Sequence, residues 1–148
     1  MRTVNDILSN KSAQKNIIHP GELVYEALKM MKNMNLSYVI AMDGDELKGI
    51  FSERNYAHNV ALEGKTSKTC KIREAMSRTL IPIDPETTVE ECINLILDTK
   101  SRYLPVMEDG KLVGIITIHD ILREALRAKE AMFDTSLADQ LMDAGGIY

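Results

Sequence analysis

The sequence is poor in the residues that several functional classes require. It has no tryptophan and only two phenylalanines, so it offers few aromatic rings on which single-stranded nucleic acid could stack. No apolar run approaches 18 residues, which excludes a membrane-spanning helix, and we expect no secretion signal at the start. The two cysteines, Cys70 and Cys92, are too scattered for a disulfide scaffold. We therefore expect a reducing, cytoplasmic compartment, with Cys92 packed as a small hydrophobe and Cys70 in a polar connection.

What the sequence contains is typical of a water-soluble globular protein. Its 148 residues are 45% apolar and 27% charged, enough for one compact domain or two small halves that share a core. The formal net charge of −4 argues against nucleic acid as the main partner, although it is compatible with a local basic pocket.

No catalytic constellation is recognisable. The sequence has no cluster of histidine, cysteine and aspartate at metal-ligand spacing, no nucleophile elbow and no glycine-rich phosphate loop. We therefore expect a protein that is not an enzyme, with no required cofactor and no metal.

The main feature of the sequence is an internal repeat. An offset of 65 residues aligns 17–57 with 82–122 without a gap, and the identical or similar positions are those that fix a fold. The heptad GIFSERN (49–55) falls on GIITIHD (114–120). The other pairs include Ile18 with Ile83, Pro20 with Pro85, Val24 with Val89, Glu26 with Glu91, Tyr38 with Tyr103, Met42 with Met107 and Leu47 with Leu112.

Each copy predicts the order helix, strand, strand, helix, preceded by a short lead-in helix. Apolar residues at i, i+3, i+4 and i+7 predict the first helix, prolines suit its start, and Thr88 with Glu91 predicts a capping box. Turn-forming tetrads between the two strands predict a hairpin. The predicted strands are 36–42, 47–51, 103–107 and 112–116, and the predicted lead-in helices are 3–8 and 71–76. One copy alone has too few apolar residues to cover its hairpin, so we expect the two copies to share one core.

The repeated heptad has two interpretations. A hydroxyl side chain before a helix, with Asp or Asn three positions later, is typical of a simple N-cap. The same geometry also makes an anion site, because free N–H groups and the positive end of the helix dipole meet there. In that second interpretation Thr117 donates to a phosphate oxygen and Asp120 accepts from the two hydroxyls of a ribose.

These residues resemble a known family. The lead-in patterns V-x-x-I-L and I-x-x-A-M, the P-x-x-x-V helix starts and the G-h-h-[ST]-x-x-[DN] ends are similar to a tandem pair of cystathionine-β-synthase (CBS) domains. The resemblance covers about residues 3–126, and the stretch GIFSERNYAHNVALEGKTSKT resembles bacterial two-CBS proteins in particular.

The resemblance implies an α/β fold of two βαββα-type repeats related by a pseudo-twofold axis. It divides the chain into a first repeat with its connection at 1–68, a second repeat at 69–127 and a helical tail at 128–148. It also implies clefts between the copies that bind AMP, ADP, ATP, NAD or S-adenosylmethionine, and association into a homodimer.

Site residues carry over from the family position by position. The hydroxyl residues Thr117 and Ser52 contact phosphate, and Asp120 and Asn55 hold the ribose. Candidates for the base are Ile18, Ile83, Tyr38, Val39, Tyr103 and Leu104. From the residues themselves, Arg54 and His119 either face the phosphate from the first helical turn or are solvated surface residues.

The first copy departs from the pattern, because Asn55 stands where the family usually has Asp. A neutral amide holds a diol less firmly than a carboxylate, so we expect the Asp120 site to be the better one.

The leading hypothesis is therefore a sensor of an adenosine nucleotide that regulates a separate protein or the sister subunit. The alternative is a dimerising interaction module with degenerate pockets, and single-stranded nucleic acid is a third, weaker option. In the tail, the stripe Phe133, Leu137, Leu141 and Met142 after a Thr135–Ser136 cap predicts a helix that packs on the body or meets a second subunit.

Overall fold

A computed structural model describes residues 2–128 and 140–142. The chain forms two compact units. The Asn55 unit consists of Gln14–Leu80 and contains the first repeat. Among the described residues, the Asp120 unit combines those up to Ala13 with those from Ile81 onward, and it contains the second repeat.

The Asn55 unit is built on a three-stranded sheet in the order β1-β2-β3. Strand β1 runs parallel to β2, and β2 pairs antiparallel with β3 as a hairpin. The elements are β1 (Ile17–Ile18), α2 (Val24–Met34), β2 (Tyr38–Asp43), β3 (Glu46–Ser52), α3 (Glu53–Tyr56) followed by a π-helical turn (Ala57–Ala61), and α4 (Ile72–Ala75). Helix α1 (Val4–Ser9) precedes them in the chain but belongs to the other unit.

The Asp120 unit is built on the β4–β5 hairpin, which stands beside the isolated parallel bridge between Ile83 and Val106. Its elements besides α1 are α5 (Val89–Thr99), β4 (Tyr103–Glu108), β5 (Lys111–Thr117) and α6 (Ile118–Ala128). The mixed α/β class and the two-repeat organisation are therefore confirmed.

The two hairpins follow the predicted turn tetrads. In the Asp120 unit, Asp109 and Gly110 both have positive φ, at 53° and 77°, as expected of a type I′ turn. In the Asn55 unit, Gly44 at φ 61° occupies the first turn position. Both hairpins carry a register irregularity at the same repeat position, after Ala41 and after Val106.

The first helix of each repeat begins later than the prolines suggest. Helices α2 and α5 begin at Val24 and Val89, and their N-caps are Leu23 and Thr88. The prolines lie in the turns before the caps, so their placement at the helix start was wrong. The predicted capping box is confirmed, because the Glu91 N–H donates to Thr88 Oγ1 at 3.1 Å and Thr88 N–H donates to Glu91 Oε1 at 3.3 Å.

The lead-in helices are exchanged between the repeats. Helix α1 precedes the first repeat in the chain but packs with the second, since Val4 N–H donates to Thr87 O at 2.8 Å. Helix α4 precedes the second repeat but packs with the first, where Ile72 N–H donates to Glu22 O at 2.9 Å. Each compact unit therefore combines the lead-in helix of one copy with the body of the other copy. The predicted boundary at residue 68 separates the two copies along the chain, but it does not coincide with a boundary between the units.

Each unit has its own hydrophobic core. The core of the Asn55 unit comprises Ile18, Val24, Ala27, Met31, Val39, Ala41, Phe51, Val60, Cys70, Ile72 and Ala75. The core of the Asp120 unit comprises Val4, Ile7, Ile83, Val89, Cys92, Ile93, Ile96, Leu104, Val106, Ile116, Ile118, Ile121 and Leu141. Each of the two clusters holds one hairpin together with the helices of its unit.

Both cysteines are free and buried. Burial raises the pKa of the Cys92 thiol to about 12 and also raises that of Cys70. Cys92 is the small hydrophobe that the sequence predicts. Cys70 lies in the polar connection and is buried as well, because the connection is hydrogen-bonded to the start of α2. Both thiols are neutral at physiological pH and poor nucleophiles.

Part of the predicted tail falls within the described residues. Leu141 is fully buried in the core of the Asp120 unit, while Met142 is exposed. Phe133, Leu137 and the Thr135–Ser136 cap lie outside the described residues. None of the helices in the described part of the chain combines the length and apolar character needed to cross a bilayer.

Candidate functional site

The second heptad forms a reciprocal capping box where β5 becomes α6. Thr117 is the last residue of β5, and its Oγ1 accepts from the Asp120 N–H at 3.2 Å. In return, Asp120 Oδ2 accepts from the Thr117 N–H at 2.8 Å and from the Thr117 hydroxyl at 3.1 Å. The sequence-level cap is therefore present, and it fixes the orientation of the Asp120 carboxylate.

Two cations hold the same carboxylate. Lys11 Nζ donates to Asp120 Oδ2 at 2.8 Å and to the Ile115 carbonyl at 2.7 Å. Arg123, one helical turn after Asp120, donates to Oδ1 at 3.3 Å. The Asp120 side chain is 5% exposed, that of Lys11 22% and that of Arg123 57%. One carboxylate facing two cations leaves a local formal charge of +1, which favours an anion.

The two oxygens of the Asp120 carboxylate differ in the number of hydrogen bonds that they accept. Asp120 Oδ2 accepts three hydrogen bonds, whereas Oδ1 accepts from Arg123 alone among the residues that the structure describes. The Thr117 hydroxyl proton is directed to Asp120, and the Ile118 N–H donates to the Arg102 carbonyl at 3.1 Å. The acceptor left for a ligand is therefore Oδ1, and the donors most available to a ligand anion belong to the cations.

A second buried acid follows on α6. Glu124 is 5% exposed and accepts from the Arg2 guanidinium, a bond that raises the pKa of Arg2 above its ordinary value. The cation that pairs with Glu124 thus precedes helix α1 in the chain, and the lysine that pairs with Asp120 follows it. The N-terminal segment is consequently part of the electrostatic surroundings of α6.

The first heptad forms the same box with a neutral residue. The Asn55 N–H donates to Ser52 Oγ at 3.2 Å, and Asn55 Oδ1 accepts from the Ser52 N–H at 2.9 Å and from the Ser52 hydroxyl at 3.1 Å. In the lead-in segments the offset between the repeats is 68 rather than 65, because Met76 packs against Gly49 as Leu8 packs against Gly114, and the residue that matches Lys11 is therefore the neutral Thr79. This junction therefore lacks both members of the Lys11–Asp120 ion pair.

The apolar candidates are largely interior residues. Val39 and Leu104 have no exposed surface, and Ile18, Ile83 and Tyr38 are at least nine-tenths buried. The side chains of Ile18 and Val39 pack in the core of the Asn55 unit and those of Ile83 and Leu104 in the core of the Asp120 unit, whereas Tyr103 is half-buried. The residue types that suggested contact with a base are thus explained first by core packing.

Arg54 and His119 are both exposed on the first turns of α3 and α6. That placement agrees with a solvated surface residue and equally leaves each side chain accessible to a ligand anion. His119 and Asp120 are successive residues of α6, so their side chains leave the helix in different directions.

Sequence reasoning missed two groups of polar residues. Lys11 lies 109 residues from Asp120, and no local pattern links them. The single sequence signal is that the repeat places charged Lys11 and Asp120 against neutral Thr79 and Asn55. In the other unit, buried Asn16 donates to the Tyr38 carbonyl at 3.0 Å and accepts from Gln14 at 2.8 Å, also without a motif.

The chain matches the sequence model of the CBS domain twice, over residues 4–61 and 72–127. The chain belongs to the CBS domain family. The recognition from motifs is confirmed, since the two matched regions correspond to the two repeats.

Individual CBS proteins resemble the chain over most of its length. The CBS domain-containing protein CBSX3, mitochondrial, of Arabidopsis thaliana is 31% identical over 130 residues, which cover 82% of this chain and 63% of the relative. The chain therefore spans less than two thirds of the length of that relative.

Solved CBS structures have the same fold. A CBS-domain protein from Burkholderia ambifaria is 30% identical with a TM-score of 0.82, and the match covers 89% of this chain and 99% of the other. The structure of CBSX2 in complex with AMP is 28% identical with a TM-score of 0.70, covering 88% and 100%. The fold of the chain is thus that of CBS-domain pair proteins, one of which binds AMP.

Proposed function

We propose that this CBS pair is a regulatory module that binds an adenosine-containing nucleotide at the junction of β5 and α6. The observation that carries the proposal is the Asp120 carboxylate, which the capping box orients and which retains Oδ1 for a further donor. A ribose hydroxyl donates to such an oxygen. The AMP complex of the relative CBSX2 supports adenosine nucleotides as the ligand class.

Burial sets the condition for binding. Thr117 is 8% exposed and Asp120 5%, so a ligand reaches the carboxylate only by replacing a present partner. Arg123 is the partner that is readily displaced, because its side chain is 57% exposed and its bond to Oδ1 is long at 3.3 Å. Binding therefore exchanges the Arg123 hydrogen bond for one from the ribose and leaves the cap intact.

The Asn55 unit provides the internal comparison. Its junction has the same cap with an amide in place of the carboxylate, and charge-assisted hydrogen bonds are roughly twice as strong as neutral ones. We therefore assign the principal ribose site to Asp120 and a weaker or altered site to Asn55.

The decisive experiment is isothermal titration calorimetry of the full chain with AMP, ATP, NAD and S-adenosylmethionine. Replacing Asp120 by Asn retains a cap of the kind that Asn55 forms, so it removes the charge with little change in geometry. We expect at least one nucleotide to bind, and Asp120→Asn to weaken it by about ten-fold.

The matched control is Asn55→Ala, which alters the other junction. We expect it to leave the principal affinity unchanged while thermal melts verify that both variants are folded. Absence of binding by all four nucleotides, or equal losses in the two variants, would refute the assignment.

A second function is favoured by one specific observation. Both capping boxes are satisfied internally, which is what a dimerising interaction module with degenerate pockets requires. Under this alternative, Asp120→Asn leaves partner binding and self-association unchanged and no nucleotide heat is detected. Calorimetry of the wild-type chain with the four nucleotides distinguishes the two functions, because only the nucleotide-binding module gives a heat of binding that Asp120→Asn reduces.

The regulatory part of the proposal concerns a further protein or a second copy of the chain. A nucleotide shifts a conformational equilibrium only when it binds the two states with different affinity. We expect a non-catalytic homodimer whose interaction with a regulated protein depends on the nucleotide. Size-exclusion chromatography with and without the bound nucleotide tests the first half of that expectation.

A further inference from the structure

The fold does not explain why the ammonium of Lys11 lies at the junction of β5 and α6. Lys11 lies just beyond helix α1, and its ammonium reaches the junction of β5 and α6 from a different part of the sequence. An ammonium group has three N–H donors, and two of them go to Asp120 Oδ2 and the Ile115 carbonyl. With 22% of the side chain exposed, the third donor can be reached from solvent.

Lys11 is not needed to orient Asp120. The Thr117 N–H and hydroxyl already fix Oδ2, and the same two bonds suffice at Asn55, where Thr79 stands at the position that matches the lysine. The ammonium therefore adds charge to a junction whose geometry is already determined by the cap.

The donors of the strand–helix junction itself are committed. The Thr117 hydroxyl donates to Asp120, the Ile118 N–H donates to Arg102 O, and the Asp120 N–H donates to Thr117 Oγ1. The anion-binding role expected of Thr117 thus has no free proton in this arrangement. Lys11 is anchored by a backbone carbonyl, whereas Arg123 is held by one long bond and is the group that a ribose displaces.

We infer that Lys11 is a specificity-determining residue, whose ammonium binds the phosphate of the nucleotide while Asp120 binds its ribose. The inference rests on the proposed nucleotide site and deepens it. It makes the Asp120 unit selective for a phosphorylated nucleoside over the nucleoside, and it gives the N-terminal segment a direct role in ligand choice.

The test compares AMP with adenosine by calorimetry in the full chain. In Lys11→Met, which removes the charge and keeps a long unbranched side chain, we expect AMP affinity to fall by about ten-fold and adenosine affinity to change little. Lys11→Arg, which keeps the cation, should retain most of the preference for AMP. Lys111→Met changes the net charge equally at an exposed position of the same unit and should affect neither ligand.

The outcomes separate the two proposals. If the wild-type chain binds neither AMP nor adenosine, the proposed function fails and this inference with it. If the wild-type chain binds both and Lys11→Met weakens both in the same proportion, the nucleotide site stands and Lys11 merely positions Asp120. Tighter binding of both ligands by Lys11→Met would make Lys11 a competitor for Asp120 and would likewise overturn the inference.

Discussion

The two strand–helix junctions of the chain have nearly the same hydrogen-bond geometry but differ in charge. The three bonds of the Ser52–Asn55 box measure 2.9, 3.1 and 3.2 Å, and those of the Thr117–Asp120 box 2.8, 3.1 and 3.2 Å. One junction is neutral, whereas the other holds a carboxylate between two cations. The cap therefore needs an acceptor oxygen three residues after the hydroxyl, and it does not need a charge.

This difference separates the part of the Asp120 site that starts the helix, which is the capping box, from the part that the helix start does not need, which is the charge. A buried charge costs desolvation energy unless it is paired, so a carboxylate at 5% exposure is kept at the expense of stability unless Lys11 and Arg123 offset it. The neutral junction achieves the same helix start without that cost. A ligand-binding role would explain why the Asp120 junction carries a carboxylate and two cations.

The largest expected effect concerns the glycines that open the two heptads. A methyl group on Gly49 would lie 2.6 Å from the Ser77 carbonyl oxygen, whereas one on Gly114 would meet the flexible Leu8 side chain at 2.7 Å. We expect Gly49→Ala to destabilise the protein by about 3 kcal/mol and Gly114→Ala by about 1 kcal/mol. Urea unfolding followed by circular dichroism measures both, and equal losses would contradict the comparison.

The next effect is the coupling between Lys11 and Asp120. Either single change leaves one charged group of the pair without its partner, whereas Lys11→Met combined with Asp120→Asn removes both charges of the pair. We expect the double variant to be about 2 kcal/mol more stable than the sum of the single losses predicts. A parallel cycle with exposed Lys111→Met and Asp120→Asn should be additive. Additivity in the first cycle as well would show that the ion pair contributes no coupling.

The smallest effect concerns the first helix of each repeat. Helix α5 has the Thr88–Glu91 capping box, while α2 has Leu23 at the N-cap and no side-chain cap. We expect Thr88→Ala to lower the free energy of unfolding by about 1 kcal/mol, because one N–H of the first turn loses its acceptor. Thr88→Ser keeps the hydroxyl and should retain nearly all of the stability. If serine is as costly as alanine, the loss comes from the methyl group and not from the cap.

The local structure could be predicted well from the sequence. The hairpins follow their turn tetrads, the helices follow their apolar spacing, and Thr88 caps α5 as expected, because each of these features depends on residues a few positions apart. The heptads were also located correctly as helix starts. Strand β1 is implied by the βαββα pattern of the family but not by the residues themselves, since two residues are too few to show a strand pattern.

The surroundings of the heptads could not be predicted in the same way. Val39 and Leu104 have the composition expected either of a core or of an apolar ligand pocket, and burial in two separate clusters decides for the core. The exchange of α1 and α4 between the repeats also leaves no local trace, because both lead-in helices carry the same apolar pattern.

The sequence by itself determined that this protein is a duplicated CBS unit, that each copy contains a hairpin followed by a capped helix, and that the two caps differ in charge. Tertiary structure alone decided that Lys11 meets Asp120 and that each lead-in helix packs with the opposite repeat. The physical reason is range: caps and turns are fixed by hydrogen bonds over three or four residues, whereas an ion pair across 109 residues forms only when folding closes the chain between them.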